Sequence, residues 1–285
     1  MSIGDGTTLD GGDINMNAGL SSQASGYIGG EVTATSGAGS GGTASDGGHL
    51  VLTSGIGASR TGGAMSLATG FGTATSTGSV ILKTDNAGVA GASGHLSFRT
   101  GTTSSGSSGK ILFASGNSND GRGGNVIMSV GTGTTSDGGD VSVSTGSTNE
   151  LTGGTISLSA MHGTTKSSGS IRVKTANAGV SGVSGELTFT SGTTSGGASG
   201  AMRLRTGSAT NGKGGDIALS VGLSETDSGG RIQMNSGVSL PQTGGLISIS
   251  AGAGTTMSSG ALVVRTLNAG DAGSTGTMTF ASGST

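Results

Sequence analysis

The residues able to do chemistry are few: three His, 15 acidic side chains, 13 basic ones and no Cys in 285 residues. Without Cys there is no disulfide, no thiolate nucleophile and no zinc site built on sulfur, and cysteine usage is silent on redox compartment. His49 and His95 each follow a Gly-Gly or Ser-Gly pair, and His162 falls in a stretch of small residues. None recurs at a fixed spacing or stands in a recognisable Ser/His/Asp motif, so they read as solvated surface residues. With 64 Gly, matches to Gly-x-Gly-x-x-Gly arise by chance. Lys110 and Lys213 follow Gly but precede Ile and Gly, so no phosphate-binding Gly-Lys-Ser/Thr loop is present. A polysaccharide-cleaving site would need carboxylates and basic residues gathered at one position of a repeat, and the acidic residues are scattered. The chain is expected not to be an enzyme.

Asp5, Asp10 and Asp13, Asp46, and Asp137 with Asp140 loosely resemble the Gly/Asp loops of calcium-binding β-rolls. That resemblance makes calcium the one cofactor to consider. The tandem Gly-Gly-x-Gly-x-Asp nonapeptide is absent, however, and the Asp positions do not recur at repeat spacing. The residues themselves read as turn formers with no cofactor.

Basic residues show more order. Lys83, Lys174 and Arg265 stand 91 residues apart, and Arg99, Arg172, Arg203 and Arg205 lie in the same half of that interval. On stacked strands equivalent positions would fall roughly 14 Å apart, a sparse basic row suited to an anionic polysaccharide or a mineral surface. The competing reading is solubility and protection of strand edges. A net charge of −2 lacks the basic surplus that nucleic-acid binding requires, so no nucleic-acid partner is expected. Thr188 with Thr190, and Thr277 with Thr279, form outward Thr-x-Thr pairs of the kind that β-solenoid ice-binding proteins array. The earlier counterparts of Thr188 and Thr190 are Ser97 and Arg99, so the array is irregular and ice is not the favoured ligand.

What must position these residues is a repeat. The frame [Gly/Ser/Thr]-Gly-x-Φ-x-Φ-x-[Ser/Thr/Val/Ala]-Gly, with Φ apolar, restarts every 15 or 16 residues from 47 to 275, with looser copies at 11 and 29, eighteen in all. Ile156/Leu158, Leu187/Phe189 and Ile247/Ile249 alternate with period two, so the frames are expected to be short strands with one apolar face. The third residue of that parity is small (Thr84, Thr100, Ser115, Val130, Thr145, Ala160), which reads as a taper where a strand leaves a core. Spacers such as TTSSGSS carry turn formers and no apolar side chain.

A longer period is superimposed. Asn-Ala-Gly begins at Asn86, Asn177 and Asn268, and residues 77–167 match 168–258 at 42 of 91 positions without a gap. The six-frame units are thus 77–167 and 168–258, with partial units 1–76 and 259–285, in a single elongated repeat domain spanning 1–285. Three opening pairs in each unit are Ser/Thr-Gly and three are Gly-Gly.

Gly, Ser and Thr make up 152 residues, and the six aromatics include no Trp, so a large aromatic core is excluded. Two sizeable apolar residues per frame, worth roughly 2–3 kcal/mol each, cannot offset about 1.5 kcal/mol of ordering entropy per residue in a lone frame. The expected fold is therefore an all-β parallel β-solenoid in which two or three frames face one another across each coil and many coils stack. Tandem β-sandwich units of 91 residues are the alternative, weakened by the missing core Trp and by the even spacing.

The stretches SGELTFTSGTTSGGAS and GGDVSVSTGST resemble Gly/Ser/Thr-rich tandem-repeat surface proteins, including algal and microbial secreted repeat proteins and adhesin stalks. The resemblance covers nearly the whole chain and implies an extracellular or cell-surface structural, adhesive role. No basic and apolar leader opens the sequence, a departure from such secreted proteins, so that location is expected if the chain is a fragment of a larger protein; no stretch approaches a membrane span. The resulting expectation is a stiff structural module that associates with neighbouring repeats or with itself end to end. The alternative is a protein binding ice, mineral or anionic polysaccharide through a flat β-solenoid face.

Overall fold

The computed structural model describes residues 13–22, 28–40, 45–89, 91–135, 137–164 and 167–283. The chain divides into two units, Met1–Val143 and Ser144–Thr285.

Within each unit the spacers bend and the frames run between the bends. Bends lie at 58–60, 73–75, 104–106, 119–121 and 134–135 in the first unit, and at 149–151, 195–197, 210–212, 225–227, 240–242 and 255–257 in the second. The 16-residue intervals close differently, by a four-residue turn following Asn-Ala-Gly. Gly91 N–H donates to Gly88 O at 3.4 Å, Gly182 to Gly179 at 3.4 Å and Gly273 to Gly270 at 3.2 Å. The sixteenth residue is what this i to i+3 turn consumes.

The bends return the chain onto the end of the frame it has just left. Gly63 N–H donates to Gly55 O at 2.9 Å, Gly154 to Gly146 at 3.0 Å, Gly169 to Met161 O at 3.0 Å, Gly245 to Gly237 at 2.9 Å and Gly260 to Gly252 at 2.9 Å. The longer loops near the start close in the same way, Gly30 to Gly19 at 2.9 Å and Gly48 to Gly37 at 2.8 Å. Hydroxyls support the bends from inside. Thr148 Oγ1 accepts from Leu151 N–H at 3.2 Å, and its counterpart 91 residues on, Ser239 Oγ, accepts from Gln242 N–H at 3.1 Å.

The expectation of strands is overturned. Among the described residues there is neither helix nor strand, and the ten backbone–backbone hydrogen bonds all close loops or turns, with no successive bonds from frame to frame as a ladder would have. Among the described residues no hydrophobic side chain is buried. The β-solenoid, its parallel β-helix coils and the β-sandwich alternative are all corrected by these two findings. Phe98 and Phe113, at the same position of consecutive frames, meet edge to face with ring centroids 6.2 Å apart at 83°.

The physical reason lies in the layer count. A domain closes by packing one apolar layer on another. Each frame here offers one apolar stripe and each spacer offers none. With no second layer, the alternating frames gain no burial to offset the cost of ordering their Gly, Ser and Thr backbones.

Candidate functional site

Every junction between consecutive frames is built to one plan. The small residue that ends a frame is laid over the second glycine of the next opening pair, nine or ten residues on, or twelve at the two longer loops that end at Gly30 and Gly48. A Cβ placed on Gly139 would lie 2.7 Å from Val130 Cγ1, and one on Gly230 would lie 2.7 Å from Val221 Cγ1. Thr145 over Gly154 and Ser115 over Gly124 approach to 3.0 and 3.1 Å, and Ala160 over Gly169 to 3.3 Å. Thr84 over Gly94 and Thr100 over Gly109 reach 3.4 Å. The small residues read as a taper thus lie against the returning backbone.

Sequence reasoning missed this pairing, although its signal is present. The second opening position is Gly in every frame, whereas the first alternates between Gly and Ser or Thr. At the first position the room varies: no atom lies within 4 Å of a Cβ on Gly138, Gly214 or Gly229, whereas one on Gly62 would lie 3.3 Å from Gly55 O.

Between junctions the apolar side chains are left open and gather in hollows. In the first unit Phe113, Val126, Ile127 and Met128 line one of about 240 Å³. In the second, Phe189, Met202, Arg203, Leu204 and Leu219 line one of about 480 Å³. Phe189, Leu204 and Leu219 are 15 residues apart, so this hollow runs across three consecutive frames. Its walls are solvent-facing, with Leu204 78 % and Leu219 72 % exposed.

The basic candidates are exposed as well. Lys83 sits 3.8 Å from Asp85, which pairs part of its charge, while Arg203 borders the apolar hollow. Lys174, Arg172, Arg205 and Arg265 are exposed, and none is joined to a carboxylate among the described residues. The Thr188 hydroxyl donates to Glu186 Oε1 at 3.0 Å, so it and Thr190 are not a matched pair of free hydroxyls; Thr33 and Glu31 repeat the arrangement at 3.2 Å. A second ion pair, absent from the sequence reading, joins Lys213 Nζ to both carboxylate oxygens of Asp216 at 3.0 and 3.1 Å.

His49, His95 and His162 are exposed. Among the described residues no three His, Asp or Glu side chains gather to hold a metal ion. Asp5 and Asp10, from the calcium-loop reading, lie outside the described residues. Among the described residues no helix is long and apolar enough to cross a membrane. No protein-family model, curated protein or solved structure matches the chain.

Proposed function

We propose that this chain is a non-enzymatic structural repeat protein, a module of an extracellular fibre, coat or cell-surface assembly that acts by associating with copies of itself or with neighbouring repeats. The observation carrying this reading is the periodic exposure of the apolar side chains. Leu52, Leu67, Leu82, Phe98, Phe113 and Met128, 15 or 16 residues apart, all face solvent, and no hydrophobic residue is buried among those described. A catalytic protein needs a pocket with converging polar groups. Here the hollows are almost wholly apolar, and only Arg203 brings a charge to either.

Self-repeating sequence suits such a role. A chain whose interaction groups recur every 15 residues presents the same chemistry to each neighbour, so association propagates without a dedicated interface. The adhesive or coat location belongs to the same proposal and rests on the resemblance of the repeat to secreted tandem-repeat proteins.

Electron microscopy of the purified chain over a concentration series tests the proposal. Filaments or sheets of uniform width, growing with concentration, are the expected result. A population of single chains at every concentration would count against a structural role.

A further inference from the structure

Asn is followed directly by Gly at one place in the 285 residues, Asn211–Gly212; elsewhere a larger residue follows it, as Ala does at Asn86, Asn177 and Asn268. The pair lies in the exposed bend at 210–212. The fold makes no demand for glycine there. A Cβ on Gly212 would meet nothing within 4 Å, its φ lies outside the left-handed region, and its N–H closes no loop among the described residues, unlike those of Gly154 and Gly245. What glycine does supply is an unshielded backbone nitrogen beside a chemically labile side chain.

We infer that Asn211 is a self-modification site, at which the chain converts this asparagine into aspartate and isoaspartate with water as the only co-reactant. The Gly212 nitrogen attacks the Asn211 side-chain carbonyl carbon, Cγ. A C–N bond forms, the bond from Cγ to the side-chain nitrogen breaks, and the proton given up by the Gly212 N–H leaves on that nitrogen as ammonia. One water molecule then opens the resulting succinimide ring. Addition at Cγ restores the peptide bond and gives aspartate; addition at the main-chain carbonyl carbon gives isoaspartate, whose backbone runs through the side chain and gains one methylene. No electrons change hands. The inference stands independently of the structural role proposed above.

The duplicated units say that the aspartate product is accommodated. The position of Asn211 in 168–258 is filled in 77–167 by Asp120, again followed by glycine, Gly121, and again in a bend, at 119–121. The new carboxylate also stands two residues from Lys213, whose Nζ lies 3.0 Å from Asp216 Oδ1, so a cation is at hand. Isoaspartate is the more disturbing product. The bend lies within the loop that lays Gly215 against Thr206, where a Cβ would be 3.5 Å from the threonine side chain, and an added backbone atom alters the reach of that loop.

The test is to incubate the full chain in mildly alkaline buffer made with oxygen-labelled water and to map its peptides by mass spectrometry, with fragmentation that separates aspartate from isoaspartate, against an unincubated control. Labelled aspartate and isoaspartate are expected at Asn211 ahead of Asn86 and Asn177. Gly212→Ala, whose methyl group has room in the fold but crowds the attacking nitrogen, is expected to slow conversion at least about tenfold. Conversion at Asn211 no faster than at Asn86 and Asn177, or unchanged by Gly212→Ala, overturns the inference. Aspartate without isoaspartate overturns it too, because direct hydrolysis of the side chain never passes through the ring.

Discussion

Within one frame, Val126 and Met128 stand open to solvent at 58 and 78 % exposure, while Val130, two residues further on and of the same parity, is seated over Gly139. The same contrast recurs 91 residues later, where Ile217 and Leu219 are open and Val221 covers Gly230. Apolar character is equal at these positions, so hydrophobicity alone does not decide which side chain finds a partner. Chain reversal decides it. The bend returns a backbone stripped of its Cβ to the end of the frame, where it meets a valine that is still 45 % exposed at Val130 and 46 % at Val221. Junctions are satisfied within the chain, and frames wait for something outside it.

The largest way to disturb this contrast is to fill the space at a junction. Gly139→Ala or Gly230→Ala puts a methyl group 2.7 Å from a valine Cγ1 and is expected to open the loop at a cost of about 1–3 kcal/mol, read from the NMR shifts of the Val130 or Val221 methyls. Gly138→Ala or Gly229→Ala, one residue away in open space, should leave those methyls unchanged. If the neighbouring pair behaved alike, steric closure would not be what distinguishes the two opening positions.

A smaller effect is expected in the frames. Leu158→Ala removes a side chain that is 76 % exposed, so the single chain should keep its loop closure at Gly154 and Gly169. The same substitution should weaken association, because the truncated side chain belongs to the surface left for a partner. A loss of junction protection in dilute Leu158→Ala would mean that frames and junctions are coupled.

Smaller again is the contribution of the loop hydroxyls. Thr148→Ala and Ser239→Ala each delete an acceptor for a bend N–H and should destabilise their own bend by about 0.5–1 kcal/mol, seen as faster amide exchange at Leu151 or Gln242. Smallest is Lys213→Ala, which removes an ion pair whose partners are both largely exposed and should leave loop closure unchanged at physiological salt.

Several features of this arrangement are legible in the residues. The 15-residue period, the small residue at the end of each frame and the glycine pair that opens the next are visible in the chain alone, and the bends fall in the Gly/Ser/Thr spacers. The turn after Asn-Ala-Gly is legible too, as the one extra residue at 91-residue intervals. The state of the frames is not. Ile156-x-Leu158 and Leu187-x-Phe189 have the alternation of strands, but a strand exists only where hydrogen-bonding and packing partners are supplied, and no alternation specifies who supplies them. The candidate ligand groups suffer from the same gap. Thr188 reads as an outward hydroxyl until Glu186, two residues away, engages it, and Arg203 reads as part of a charged row until the apolar hollow is seen beside it.

Residue-resolved amide hydrogen exchange on the dilute chain tests the division into satisfied junctions and unpartnered frames most directly. Slowed exchange is expected at Gly63, Gly154, Gly169, Gly245 and Gly260, whose N–H groups close the loops, with frame amides such as those of Ile156, Leu158, Ile247 and Ile249 exchanging near the rate of an unstructured peptide. Continuous protection running through those frames at dilution would reveal backbone ladders within a single chain and would contradict the account.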